Sequence, residues 1–123
     1  MSLKAYQRAQ SATENPRDTE FRLFGAVTGA LLDATEEPRH SPRLVEAIDW
    51  NRRMWTTLAA DCSDDNNRLP VQVRAQIISL SIWVGKYSSQ VIRNGASLEP
   101  LIEINRTIMQ GLSARPEPSK AAS

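Results

Sequence analysis

Asp49-Trp50-Asn51-Arg52-Arg53-Met54-Trp55 is the stretch that decides the fold class of this 123-residue chain. Around it Leu44, Ile48, Asn51, Trp55, Leu58 and Cys62 recur at alternating spacings of four and three residues, the seam of an amphipathic helix and not the alternation of a strand. Trp50 and Trp55 stand five positions apart, so a helix sends them to different faces. Trp55 falls in the seam. Trp50 lies about 120° from the seam's centre, at its edge or beyond, with Met54 between them.

The same spacing recurs in Val73, Ile77, Leu80, Val84, Tyr87 and Val91, and again in Leu98, Ile102, Asn105, Met109 and Leu112. A further segment presents Phe24, Thr28 and Leu31, flanked by Phe21, Val27 and Leu32. Punctuation agrees: Asn15-Pro16 and Ser41-Pro42 offer an N-cap followed by a first-turn proline, Pro38 is a stop, Pro70 opens a segment, Gly95 closes it and Ser97 is placed to cap the next. These signals predict helices near 3–13, 16–36, 42–62, 70–94 and 98–111. The expected fold is an all-α bundle of four main amphipathic helices plus a short N-terminal helix. It forms one domain over residues 1–113, and the proline-containing tail 114–123, which lacks large apolar residues, is expected to be disordered. The expected core comprises Phe24, Leu31, Leu44, Ile48, Trp55, Leu58, Ile77, Leu80, Val84, Tyr87, Ile102 and Met109.

Two details refine that expectation. Gly25 and Gly29 lie four apart within one helix, and Ser81, Gly85 and Ser88 make a small-residue strip on another, both suggesting close approach of a neighbouring helix. Asn51 and Asn105 stand where the period demands apolar side chains; the simplest reading is that each bonds a neighbouring helix and fixes register.

Composition excludes several function classes. Fifteen basic and fourteen acidic residues nearly cancel, which argues against a polyanion binder relying on overall charge, although the basic excess lies in the second half. The start lacks the apolar core of a secretory signal, and no run approaches the ~20 apolar residues of a membrane span, so a cytoplasmic protein without membrane insertion is expected. The single cysteine, Cys62, reads as a small buried or half-buried apolar residue. His40, the only histidine, has no patterned nucleophile or metal partner, and Asp61, Asp64 and Asp65 lack calcium-loop spacing. With no phosphate-cradling glycine loop either, the expectation is a protein that is not an enzyme and has no catalytic residues, cofactor or metal.

What remains is apolar surface that the seams do not use. Trp50, Arg53 and Met54 gather at the edge of one seam, the composition that protein interfaces favour. Ile78 and Ile82 lie nearly opposite another seam. Either that helix is buried on two sides or these residues line a groove for a partner helix. Trp50, Arg53, Met54, Ile78 and Ile82 are therefore the candidate partner-binding residues.

The blocks Asp49 to Trp55, Arg74-Ala75-Gln76-Ile77-Ile78-Ser79-Leu80-Ser81 with Trp83-Val84, and Leu101 to Met109 with Gly111-Leu112 resemble the flagellar biosynthesis protein FlaF family of alphaproteobacteria. The likeness extends to Ala5-Tyr6, Pro16 to Glu20 and Leu23-Phe24, so it covers nearly the whole chain apart from the 61–68 loop and the tail. The resemblance implies a small cytoplasmic helical protein needed for flagellin production and export, with flagellin as its partner and FlbT or the export machinery as further contacts. The function it implies is an export and assembly chaperone that binds flagellin and so regulates flagellin synthesis and secretion. The alternatives are post-transcriptional regulation of flagellin translation, with FlbT or directly on flagellin mRNA, and an adaptor that binds only FlbT or the export machinery. RNA binding wants aromatic platforms beside clustered arginines. Arg93 and Arg106 make no such cluster, and only Trp50 beside Arg52 and Arg53 offers one, so direct RNA binding is disfavoured.

Overall fold

Proline or glycine stands at several of the helix ends in the computed structural model, which describes residues 16–113, with side-chain surroundings for 20–111. These helices are α1 (Pro16–Asp33), α2 (Pro42–Ser63), α3 (Val71–Asn94) and α4 (Glu99–Ser113), and there is no strand among the described residues. The helix expected near 3–13 and the tail 114–123 lie outside the described residues.

Helix ends follow local chemistry. Proline stands in the first turn of α2, where its missing N–H costs nothing. The preceding Ser41 does not cap with its side chain as expected; its hydroxyl is instead 3.3 Å from Glu37 Oε2. Ser97 does cap: its Oγ accepts the Glu99 N–H at 3.1 Å. Gly95 ends α3 with φ 70° and ψ 27°, a left-handed conformation that suits glycine, and its N–H reaches the Val91 carbonyl at 3.0 Å. Helix α1 stops at Asp33 instead of near residue 36. There Ala34 and Thr35 donate to Leu31 and Leu32 three residues back, and the Thr35 hydroxyl takes the Leu31 carbonyl, so the last turn tightens out of the α pattern.

Among the described residues the helices neighbour one another in cyclic order, α1–α2–α3–α4 and back to α1. The broad pairings are α2 with α3 and α1 with α4, while backbones do not approach across either diagonal. Trp55, Phe24, Leu31, Leu44, Ile48, Ile77, Val84 and Ile102 are buried as the seams predict, joined by Val27, Val91, Leu98 and Leu101. Burial of such side chains stabilises by roughly 1.5–3 kcal/mol each. The Phe24 and Trp55 rings pack in a T-shape, with centroids 5.7 Å apart and planes at 86°, which ties α1 to α2. Leu58, Leu80, Tyr87 and Met109, expected in the core, are half-buried at its margin. Tyr87 cannot sink deeper while its hydroxyl donates to the Ser97 carbonyl at 2.8 Å. Val73, the first residue of its seam, is exposed in the first turn of α3.

Side chains cross the diagonal where backbones do not. Trp55 Nε1 donates to Asn105 Oδ1 at 2.9 Å, and Asn105 Nδ2 donates to Asn51 Oδ1 at 2.8 Å, with all three residues fully buried. The two asparagines in the seams are thus one polar bridge from α2 to α4. The small-residue strip on α3 serves the α2 pairing: Arg52 Nη2 donates to the Gly85 carbonyl at 3.1 Å and to Ser89 Oγ at 2.7 Å, and Ser81 Oγ donates to the Trp55 carbonyl at 3.2 Å.

The paired glycines of α1 are not equivalent. A Cβ at Gly25 would meet the Met109 terminal methyl at 3.6 Å, whereas one at Gly29 meets nothing within 4 Å, so close helix approach does not explain Gly29. Gly29→Ala should therefore raise stability by about 0.5–1 kcal/mol through helix propensity alone. Gly95→Ala should lower it by about 1–2 kcal/mol because a side chain is strained at positive φ. Urea denaturation of the two variants checks this, and a destabilising Gly29→Ala would show that the helix needs glycine there after all.

Candidate functional site

Besides its seam, α2 carries a second stripe, Trp50, Arg53, Met54, Thr57 and Asp61, at spacings of three, one, three and four residues. On α1, Glu20, Leu23 and Phe24 face it. Together they line an open groove of about 290 Å³ between the two helices. Its floor is apolar and belongs to the core: Phe24 and Met54 are buried and Leu58 is half-buried. Its walls are Leu23, 41% exposed, and Trp50, 38% exposed. Charged groups stand around the opening, Glu20 and Asp61 on the acidic side and Arg53 on the basic. Arg53 Nε is 3.1 Å from Asp49 Oδ2 in a solvent-exposed pair of the i,i+4 kind, worth little to stability.

The structure thus brings Trp50, Arg53 and Met54 into one groove, with Met54 in its floor and not at its edge. At 5% exposed it is not an edge residue, because α1 lies over that side of α2 and takes the methionine into the core. Ile78 and Ile82 do not border this groove. Ile78 packs half-buried against the core, whereas Ile82 is 57% exposed, so α3 is not covered on both sides. Sequence reasoning missed Leu23 as a wall residue. Its signal was available, an apolar residue on α1 beside the Phe24 seam, but nothing local said that α2 would bring a tryptophan opposite it. Arg52 turns away from Trp50 toward α3, so the grouping of Trp50 with Arg52 and Arg53 does not form a single surface.

The remaining polar candidates have local structural roles. His40 is exposed in the loop before α2. Asp64 Oδ1 accepts the Asn66 N–H at 2.9 Å, and the Asp64 carbonyl accepts from Arg74 Nη1 at 3.1 Å, so this acid and its backbone organise the loop into α3. No group of histidine, cysteine and carboxylate side chains among the described residues could hold a metal ion. Nor is any helix among them long and apolar enough to cross a membrane. Cys62 is buried at the end of α2. Burial pushes its thiol above the ordinary value, the Asp61 and Glu20 carboxylates push it further, and Arg74 opposes them.

Fold and groove together define a small all-α bundle with an apolar cleft open to solvent between its first two described helices. The family model described as Flagellar protein FlaF matches residues 2–112. The chain belongs to the FlaF family of flagellar proteins. No curated protein and no solved structure matches it.

The raised thiol pKa has a measurable consequence. A thiol whose pKa is raised holds less thiolate at neutral pH, and thiolate is the reacting form. Native Cys62 should react with a disulfide reagent at pH 7 at least about tenfold more slowly than the same thiol in denaturant. Equal rates would mean that the thiol is neither shielded nor held protonated.

Proposed function

We propose that this flagellar protein binds flagellin subunits before they assemble, acting in the cytoplasm as their export and assembly chaperone and thereby regulating flagellin synthesis and secretion. Family membership supplies the flagellar context. The observation that carries the binding role is the groove between α1 and α2, where the exposed Leu23 and Trp50 stand over a floor of Phe24 and Met54. A cleft of this form suits an amphipathic client helix that inserts an apolar anchor between the walls, with tryptophan and arginine supplying contact at the opening. The work is binding and shielding, with no covalent step. FlbT and the export machinery are further contacts on this reading, and the inward engagement of Arg52 favours a protein client over RNA, since it takes one arginine away from Trp50.

Size-exclusion chromatography with purified flagellin monomer tests the proposal. A stoichiometric complex is expected with monomer and not along intact filaments, since a shielding factor covers surfaces that assembly later buries. Trp50→Ala should keep the native melting temperature and lose about 2 kcal/mol or more of binding, as an interface hot spot does. Trp55→Ala should instead cost about 3–5 kcal/mol of folding stability. Binding that filaments match, or that Trp50→Ala leaves unchanged, would overturn the proposal.

A further inference from the structure

Helix α3 has a face that the bundle does not use. Its inward side carries the buried Ile77, Val84, Ser88 and Val91. On the opposite side Ala75, Ser79 and Lys86 form an exposed lane, with Ile82, 57% exposed, on one flank and Trp83, 38% exposed, on the other. The small Ala75 and Ser79 beside two large side chains leave room for the ridge of an incoming helix, with the flexible Lys86 at the far end of the lane. The Trp83 ring is already fixed in place. It stacks on Tyr87 with centroids 5.1 Å apart and planes at 18°, and the Tyr87 hydroxyl is anchored on the Ser97 carbonyl. An aromatic held this way loses little freedom when a partner arrives.

Charge identifies the partner. Between Asn66 and Leu98 the sequence has basic residues at Arg68, Arg74, Lys86 and Arg93 and no acidic residue at all. The ion pairs Arg43–Glu37, Arg53–Asp49 and Arg106–Glu103 leave Lys86 and Arg93 without a carboxylate among the described residues. Lys86 follows Ile82 by four residues and Trp83 by three, and Arg93 comes seven residues later, so both cations lie along the stripe that begins with the apolar flanks. The face is therefore apolar in its first half and positive, without an internal counter-charge, in its second. Two copies of this face brought together would oppose cations with no carboxylate on either helix.

We propose that the outward face of α3 is a second docking surface, and that its occupant is an acidic amphipathic helix of a partner protein. Apolar side chains of that helix seat between Ile82 and Trp83, and its carboxylates pair with Lys86 and Arg93. An anionic membrane suits the face less well, since electrostatic recruitment to lipid uses clusters of about four to eight basic residues and this stripe has two unpaired ones. The surface is separate from the Trp50 groove, so it stands whether or not flagellin is the groove's client.

Fluorescence anisotropy with a labelled synthetic helix of about twenty residues, leucines on one face and glutamates beside them, tests the proposal, with a lysine-for-glutamate twin as control. The full chain should bind the acidic peptide at least about tenfold more tightly than the basic twin. The double change Lys86→Glu, Arg93→Glu should reverse that preference, and Ile82→Ser should weaken acidic-peptide binding about tenfold or more. All three positions are exposed, so both variants should melt with the native chain, and Trp50→Ala should bind the acidic peptide normally. Equal affinity for both peptides, no reversal on charge exchange, or loss of binding in Trp50→Ala would overturn the assignment. So would sedimentation with phosphatidylserine vesicles in preference to the peptide, or self-association abolished by Ile82→Ser.

Discussion

The hydrogen bonds from Trp55 Nε1 to Asn105 and from Asn105 to Asn51 are the interaction on which the rest of this bundle depends. Helices α2 and α4 occupy opposite corners, and their backbones do not approach. Apolar packing alone tolerates rotation of such a pair, because hydrophobic contact is non-directional. An indole N–H and two carboxamides buried without access to water do not, since an unmade bond in that setting costs about 1–3 kcal/mol. The bridge therefore fixes which face of α2 looks inward. With Trp55 committed to Asn105, the residue five positions earlier has to emerge on another side, and Trp50 becomes a groove wall.

The polar layer is not optimised for stability. Asn51 Nδ2 and Ser88 Oγ are buried without a hydrogen-bond partner among the described residues, and an all-apolar layer would avoid that cost. Retaining it is understandable if a unique register matters more than the last increment of stability, the role best attested for buried asparagine. Register has two consequences at the surface. It opens an apolar cleft with two acids on its margin between α1 and α2, and it leaves the acid-free outer face of α3 uncovered. On the proposed reading, one helix held in the cleft while α3 docks on an acidic partner would link a client to a second component.

Much of this was legible in the sequence, and the physical reason is periodicity. The 4-3 seams place Trp55 inside and Trp50 outside, and asparagine where the period demands an apolar residue marks the bridge, though not its geometry. What was illegible depends on neighbours that a single helix does not encode. Met54 sits between the two tryptophans, and only the position of α1 decides that it is covered. Leu101 lies outside the seam of α4 yet is fully buried, because α4 packs on α1 and still meets α3. Arg52 reads as surface charge, but the open Gly85 carbonyl and the Ser89 hydroxyl on α3 draw it inward. Gly29 reads as a close-approach glycine by its spacing from Gly25, while the space above it is open.

A double-mutant cycle on Asn51→Ala and Asn105→Ala, read by urea denaturation, tests the polar bridge most directly. Asn105→Ala strands both Trp55 Nε1 and Asn51 Oδ1, whereas Asn51→Ala strands only Asn105 Nδ2, so the first should cost more. The pair should show a coupling energy of about 1 kcal/mol or more, because their effects pass through a shared hydrogen bond. Additive effects within about 0.5 kcal/mol, or a costlier Asn51→Ala, would mean that the two asparagines act independently and that something other than this bridge sets the rotation of α2.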